Sequence, residues 1–134
     1  HIVYDPSKPW DQKNNINPCK NNTLAQQTAI LPSILDYLNF DHPFVSFGES
    51  VFDTTHSHYA INYMDHIYQL IQDGHAYTFD GNMGTSLYNL TNDSLMKNNI
   101  LENSTNIAKD LDRKIKAIIQ SYNLRMIQNK LVVK

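Results

Sequence analysis

At 134 residues, 41% of them apolar, the chain is sized for one domain or a piece of one, with a modest core to bury. The formal net charge of −2 comes without any block of like charges, so there is no electrostatic footprint for nucleic acid or an anionic membrane. Cys19 is the single cysteine, which excludes an intramolecular disulfide framework.

The chain opens on His1-Ile2-Val3-Tyr4, a short strand-like run stopped by Asp5-Pro6, with no initiator Met, signal peptide or membrane-length apolar run. This predicts a fragment of a larger protein, cut just before a core strand. Residues 5–22, with Pro6, Pro9 and Pro18 among scattered Asn and Lys, read as a loop. Trp10 is its one large residue and is expected to anchor it on the body, stacking on a ligand being the lesser reading. Leu31, Ile34, Leu35 and Leu38 recur at helical spacing, with Pro32 near the start, so a helix is expected over residues 29–38 with Thr28 as its N-cap. Residues 44–52 form a short apolar segment broken at Gly48, and residues 53–58 a polar connection.

Residues 59–90 carry the clearest β signal. Tyr59, Ile61 and Tyr63 alternate with Ala60, Asn62 and Met64; His75, Tyr77 and Phe79 alternate with Ala76 and Thr78. Asp73-Gly74 between two such runs is a strong hairpin signal, and Asp80-Gly81 through Gly84 marks a second turn before a last strand at residues 86–90. An antiparallel meander of three or four strands follows. From Ser104, read as an N-cap, the stripe Ile107, Leu111, Ile115, Ile118, Tyr122 and Met126 predicts a helix over residues 104–128, with Asp110 placed to pair with Lys114. The predicted fold is α+β: a small antiparallel meander packed against a long C-terminal helix, with an N-terminal strand and helix belonging to a larger α/β core.

Catalytic signatures such as a phosphate-cradling Gly-rich loop, G-x-S-x-G, H-E-x-x-H or C-x-x-C are absent from the sequence. His56-Ser57-His58 is the one constellation to weigh. Alternate histidines on a strand point to one side and can share a metal, with Asp53, His66, His75 or Asp80 as further ligands only if the fold gathers them. The plainer reading is a solvated loop. Glu49 with Asp53 would be an acid/base pair only beside a pocket, and His42 before Pro43 is a turn residue. Four Asn-x-Ser/Thr matches, at Asn21, Asn89, Asn92 and Asn103, are what an Asn-rich chain produces by chance.

Leu87-Tyr88-Asn89-Leu90-Thr91-Asn92-Asp93, followed by Asn98-Asn99-Ile100-Leu101, resembles the "LYDLxxDPxExxNL" segment near the C-terminus of sulfatases. Gln27-Thr28-Ala29-Ile30-Leu31-Pro32-Ser33-Ile34-Leu35-Asp36-Tyr37-Leu38 resembles their "QxDIxPTLLDLLG" helix. Ile2-Val3-Tyr4-Asp5-Pro6 is similar to the core strand before it, and Phe44-Val45-Ser46-Phe47-Gly48 through Phe52 to the "FGxSLF" segment of the lipoteichoic acid synthase-like branch. Ala29 stands where the family pattern has Asp, and Asp93-Ser94-Leu95-Met96 replaces "DPxE".

The resemblance implies the C-terminal part of a sulfatase-like protein of the alkaline phosphatase superfamily. Members act on phosphate or sulfate esters, as hydrolases or phosphoglycerol-type transferases, with a Thr, Ser or modified Cys nucleophile. A divalent metal (manganese, magnesium, calcium or zinc) lowers that nucleophile's pKa. No position here matches the nucleophile or a metal ligand, and Cys19 lacks the C-x-P-x-R context, so no catalytic, cofactor or metal residue is assigned. The expected partner is the upstream catalytic domain of the same protein, with self-association of the isolated piece and no nucleic-acid or direct membrane contact. The implied location is the extracytoplasmic face of a bacterial membrane or the periplasm. Two other classes stay open: a self-standing protein- or glycan-binding module, and a small metal-binding protein using His56 and His58.

Overall fold

The computed structural model describes residues 23–132; the strand expected at Ile2-Val3-Tyr4, Trp10 and Cys19 lie outside them. A four-stranded antiparallel sheet has its strands in chain order: β1 (Tyr59–Met64), β2 (Ile67–Gln72), β3 (His75–Phe79) and β4 (Gly84–Asn89). A long helix, α2 (Thr105–Ile127), lies on one face, and a short helix, α1 (Ile30–Tyr37), precedes the sheet. The α+β expectation holds.

The turns set the register. Asp73 (φ 48°) and Gly74 (φ 70°) are both left-handed, as a two-residue type I′ turn requires, and Gln72 pairs with His75 across it. Asp65 (φ 51°) and His66 (φ 66°) make a second such turn between β1 and β2, although neither is a glycine. In the β3–β4 connection, Asp80 Oδ1 accepts the N–H groups of Asn82 and Met83 at 2.8 and 2.7 Å, and a bulge at Thr78/Phe79 shifts the pairing there. Asp80 gains from both N–H donors, that of Met83 most, and its carboxyl is held below the usual range.

With this register, Ile61, Leu70, Tyr77 and Leu87 stand opposite one another across all four strands. Leu70, Tyr77, Phe79 and Leu87 form the buried core with Leu111 and Ile115 of α2. The Tyr77 hydroxyl donates to Asp112 Oδ1 at 2.9 Å, tying β3 to α2, and Lys116 Nζ reaches Asp112 Oδ2 at 2.7 Å. Burial first, and then that acceptor, pushes the Tyr77 phenol well above its ordinary pKa.

Both sheet edges are met by side-chain amides. On β1, Gln26 Oε1 accepts the outward Ile61 N–H at 2.9 Å. On β4, Asn99 Oδ1 accepts the Leu87 N–H at 3.0 Å while the Ile100 N–H donates to Leu87 O at 2.8 Å. Unpaired edges invite strand addition, and at Ile61 and Leu87 the edge backbone already has a partner.

Several expectations change in detail. Only Leu111, Ile115 and, in part, Ile118 of the α2 stripe are covered, whereas Ile107, Tyr122 and Met126 are exposed because α2 runs past the sheet. Asp110 lies 3.7 Å from Arg113, not on Lys114, whose ammonium sits 4.6 Å over the Tyr59 ring. Ser104 holds the N-cap position of α2, but its hydroxyl makes no capping bond: its ψ of 50° lies outside the extended geometry that aims a cap oxygen at the first amides. Thr28 is not a cap either. It lies inside a 3-10 turn, Gln27–Ala29, and Ala29 before α1 is already helical, so no side chain there is set to cap.

Most of the apolar stripe of α1 faces outward. Ala29, Pro32 and Ser33 are buried, while Ile30, Leu31, Ile34 and Leu38 are at least half exposed, Leu38 at 64%. Ser33 anchors the buried side. Its hydroxyl donates to Ala29 O at 2.6 Å and accepts the Val51 N–H at 3.0 Å, docking this side of the helix on the 44–52 segment. That segment is irregular and not a strand. Gly48 lets it approach, since a Cβ there would stand 2.4 Å from the Thr28 carbonyl.

Candidate functional site

The histidine cluster forms where the polar connection meets β1. Asp53 Oδ1 accepts both the N–H and the hydroxyl of Thr55, at 2.8 and 2.6 Å. These two bonds, with smaller help from His56, bring the Asp53 carboxyl down to about 2. His56 is exposed, with Nδ1 2.6 Å from Thr55 Oγ1 and 3.4 Å from Asp53 Oδ2. His58 turns inward, its side chain only 13% exposed. Its Nε2 lies 2.6 Å from Asp53 O, and since a carbonyl only accepts, Nε2 carries the proton. Its Nδ1 faces Glu49 Oε2 at 4.0 Å, an oxygen shut off from solvent without a hydrogen-bond partner among the described residues.

Glu49, Asp53, His56 and His58 therefore gather, but the two histidines diverge, one to solvent and one to the loop backbone. Among the described residues no group of three or more His, Cys, Asp or Glu is arranged to hold a metal. The other candidates lie elsewhere. His66 sits in the β1–β2 turn with Nδ1 3.4 Å from the Tyr63 hydroxyl. His75 begins β3 and donates from Nδ1 to Asp73 O at 2.8 Å, Asp80 serves its own turn, and His42 pairs with Asp41 at 3.5 Å. The cluster acts as a clasp: it fixes the loop that leads into β1.

Sequence reasoning missed a concavity. Where the C-terminal half of α2 leaves the sheet, a groove of about 440 Å³ opens against β1 and β2. Phe47 and Tyr122 meet edge to face at 5.1 Å on one side, and Tyr63 and Tyr68 pair at 4.5 Å on the other. Ile61 and Ile118 lie between them. The Tyr59 hydroxyl donates to Phe47 O at 3.1 Å and so holds that wall in place. Burial, with the nearby Glu49 charge second, raises the Tyr59 pKa. Tyr63 and Tyr68 are brought together by the β1–β2 register, and Phe47 and Tyr122 come from distant segments that no local pattern links.

The 87–101 segment is braced by its own side chains. Asn89 Oδ1 accepts the Thr91 N–H at 3.0 Å, Asp93 Oδ2 accepts the Asn98 N–H at 2.7 Å, and Asn99 pins β4. The Asn98 donor is the largest cause holding the Asp93 carboxyl below its usual range. No family model, curated protein or solved structure matches the chain. No helix among the described residues is long and apolar enough to cross a membrane.

Proposed function

We propose that the chain is the non-catalytic C-terminal part of a sulfatase-like, metal-dependent phospho- or sulfo-ester hydrolase or phosphoglycerol-type transferase. In this reading it packs on the upstream α/β catalytic domain and shapes the wall of its cleft, on the extracytoplasmic side of a bacterial membrane or in the periplasm. The observation that carries it is the outer face of α1. Ile30, Leu31, Ile34 and Leu38 are exposed together on one helix, an arrangement expected where another body covers them. The four family-like segments, in family order, supply the identity of that body. The divalent metal and the nucleophile belong to it, and this chain contributes only packing.

The coding sequence upstream of His1 provides the decisive test. It must encode an α/β domain with a Thr, Ser or Cys nucleophile and Asp and His metal ligands; any other upstream domain ends the proposal. The isolated chain should self-associate through α1, and Leu31→Glu/Ile34→Glu should make it monomeric in sedimentation without altering its circular dichroism. A second reading, a self-standing protein- or glycan-binding module, is favoured by the aromatic groove. Ligand-observed NMR against mono- and disaccharides distinguishes it, since the first reading expects no saturation transfer.

A further inference from the structure

The groove lies where the chain enters the described residues. Gln26 bonds the outer edge of β1 at Ile61, and Gln26 and Thr28 stand on the groove wall. Residues 1–22 therefore attach within a few residues of an apolar concavity faced by four aromatic rings. Within that segment Trp10 offers the largest apolar surface, and it is the only tryptophan of the chain. From Trp10 to Thr23 the backbone spans up to about 40 Å at full extension, so the indole can reach any part of the groove.

We propose that the groove is the docking site of the chain's own N-terminal segment, with the Trp10 indole as the side chain it takes. An indole suits these walls. The rings of Tyr63, Tyr68 and Tyr122 offer an indole the edge-to-face or offset contacts that aromatic pairs prefer, and the side-chain amides of Asn62 and Asn123 on the groove wall carry acceptor oxygens for its N–H. The volume matches pockets for small organic ligands and leaves room for a flanking proline. Tethering raises the local indole concentration to the millimolar range, roughly, so modest intrinsic affinity is enough. The proposal is independent of the upstream-domain reading, which rests on α1.

The single tryptophan makes the test direct, because emission excited at its red edge reports Trp10 alone. In the full chain we expect blue-shifted emission and slow acrylamide quenching, both unchanged on dilution. Tyr122→Ser, at a half-exposed position, should shift the emission to the red and raise quenching several-fold with circular dichroism intact. Trp10→Ala should leave the fold intact and increase binding of an anilinonaphthalene sulfonate dye. Emission of a water-exposed indole in the wild type overturns the proposal. So does a blue shift that Tyr122→Ser leaves unchanged, which puts Trp10 elsewhere, or one that fades on dilution, which assigns the groove to the Trp10 of a second copy.

Discussion

Gly84 opens β4 under the ring of Tyr77, and replacing it with alanine tests the central β3–α2 contact. A Cβ at Gly84 would stand 2.1 Å from the Tyr77 hydroxyl oxygen, 2.6 Å from Cζ and 2.8 Å from Cε2. Tyr77 is 2% exposed and its hydroxyl is committed to Asp112, so the ring cannot swing aside cheaply. Forced overpacking costs about 1–3 kcal/mol, and losing a hydrogen bond to a carboxylate about 1.5–3 kcal/mol. The two overlap, since moving the ring is what breaks the bond, and the alanine recovers about 0.4–1 kcal/mol from the unfolded chain. A net loss of about 2–3 kcal/mol follows. Urea unfolding of wild type, Gly84→Ala, Tyr77→Phe and the double variant closes a cycle. Removing the hydroxyl takes away the nearest clash, so the double variant should lose less than the sum of the singles, by about 0.5 kcal/mol or more. A Gly84→Ala cost under about 0.5 kcal/mol, or strictly additive losses, refutes the reasoning.

Three further outcomes are expected. Ile115→Ala, at a fully buried position between α2 and the sheet, should cost about 2–5 kcal/mol in the same urea assay. Gly74→Val should lower stability by about 1 kcal/mol or more, because its φ of 70° is left-handed and the new Cβ would lie 2.8 Å from Thr91 Oγ1. For Asp53 the folded-state pKa, about 2, lies below the ordinary 3.8, so its contribution is complete above the higher value and disappears as pH falls toward the lower. Carbon-detected NMR titration should place the Asp53 midpoint near 2, and in Thr55→Val it should move up; an unchanged midpoint in that variant overturns the assigned cause.

The sheet was legible because its signals are local. Asp73-Gly74 names its own turn, and the alternation of His75, Tyr77 and Phe79 puts Tyr77 and Phe79 in the core. The Asp65-His66 turn was not, since two non-glycine residues at positive φ carry no compositional mark and are held there by the pairing on either side. For α1, periodicity located the helix and its apolar stripe, which is exposed; the docking of the opposite side through Ser33 and Val51 joins residues 18 apart and leaves no mark in the local pattern. The histidine pair at 56 and 58 was readable as a motif, but its divergence depends on where Asp53 O and Glu49 lie, which spacing does not encode. The groove was invisible because its walls come from separate stretches.

Strands that pair in chain order through short turns also dictate a sequence of events in time. Each hairpin closes a small loop at little entropic cost and forms within about 1–10 μs in isolation, and α2 follows β4 directly enough to settle on the sheet early. The 23–58 stretch joins through contacts such as Gln26 to Ile61, 35 residues apart, and so pays a larger closure cost. The Phe47 wall of the groove is therefore the last part to assemble. In pulsed hydrogen exchange during refolding, the Ile61 amide should gain protection after those of β2 and β3.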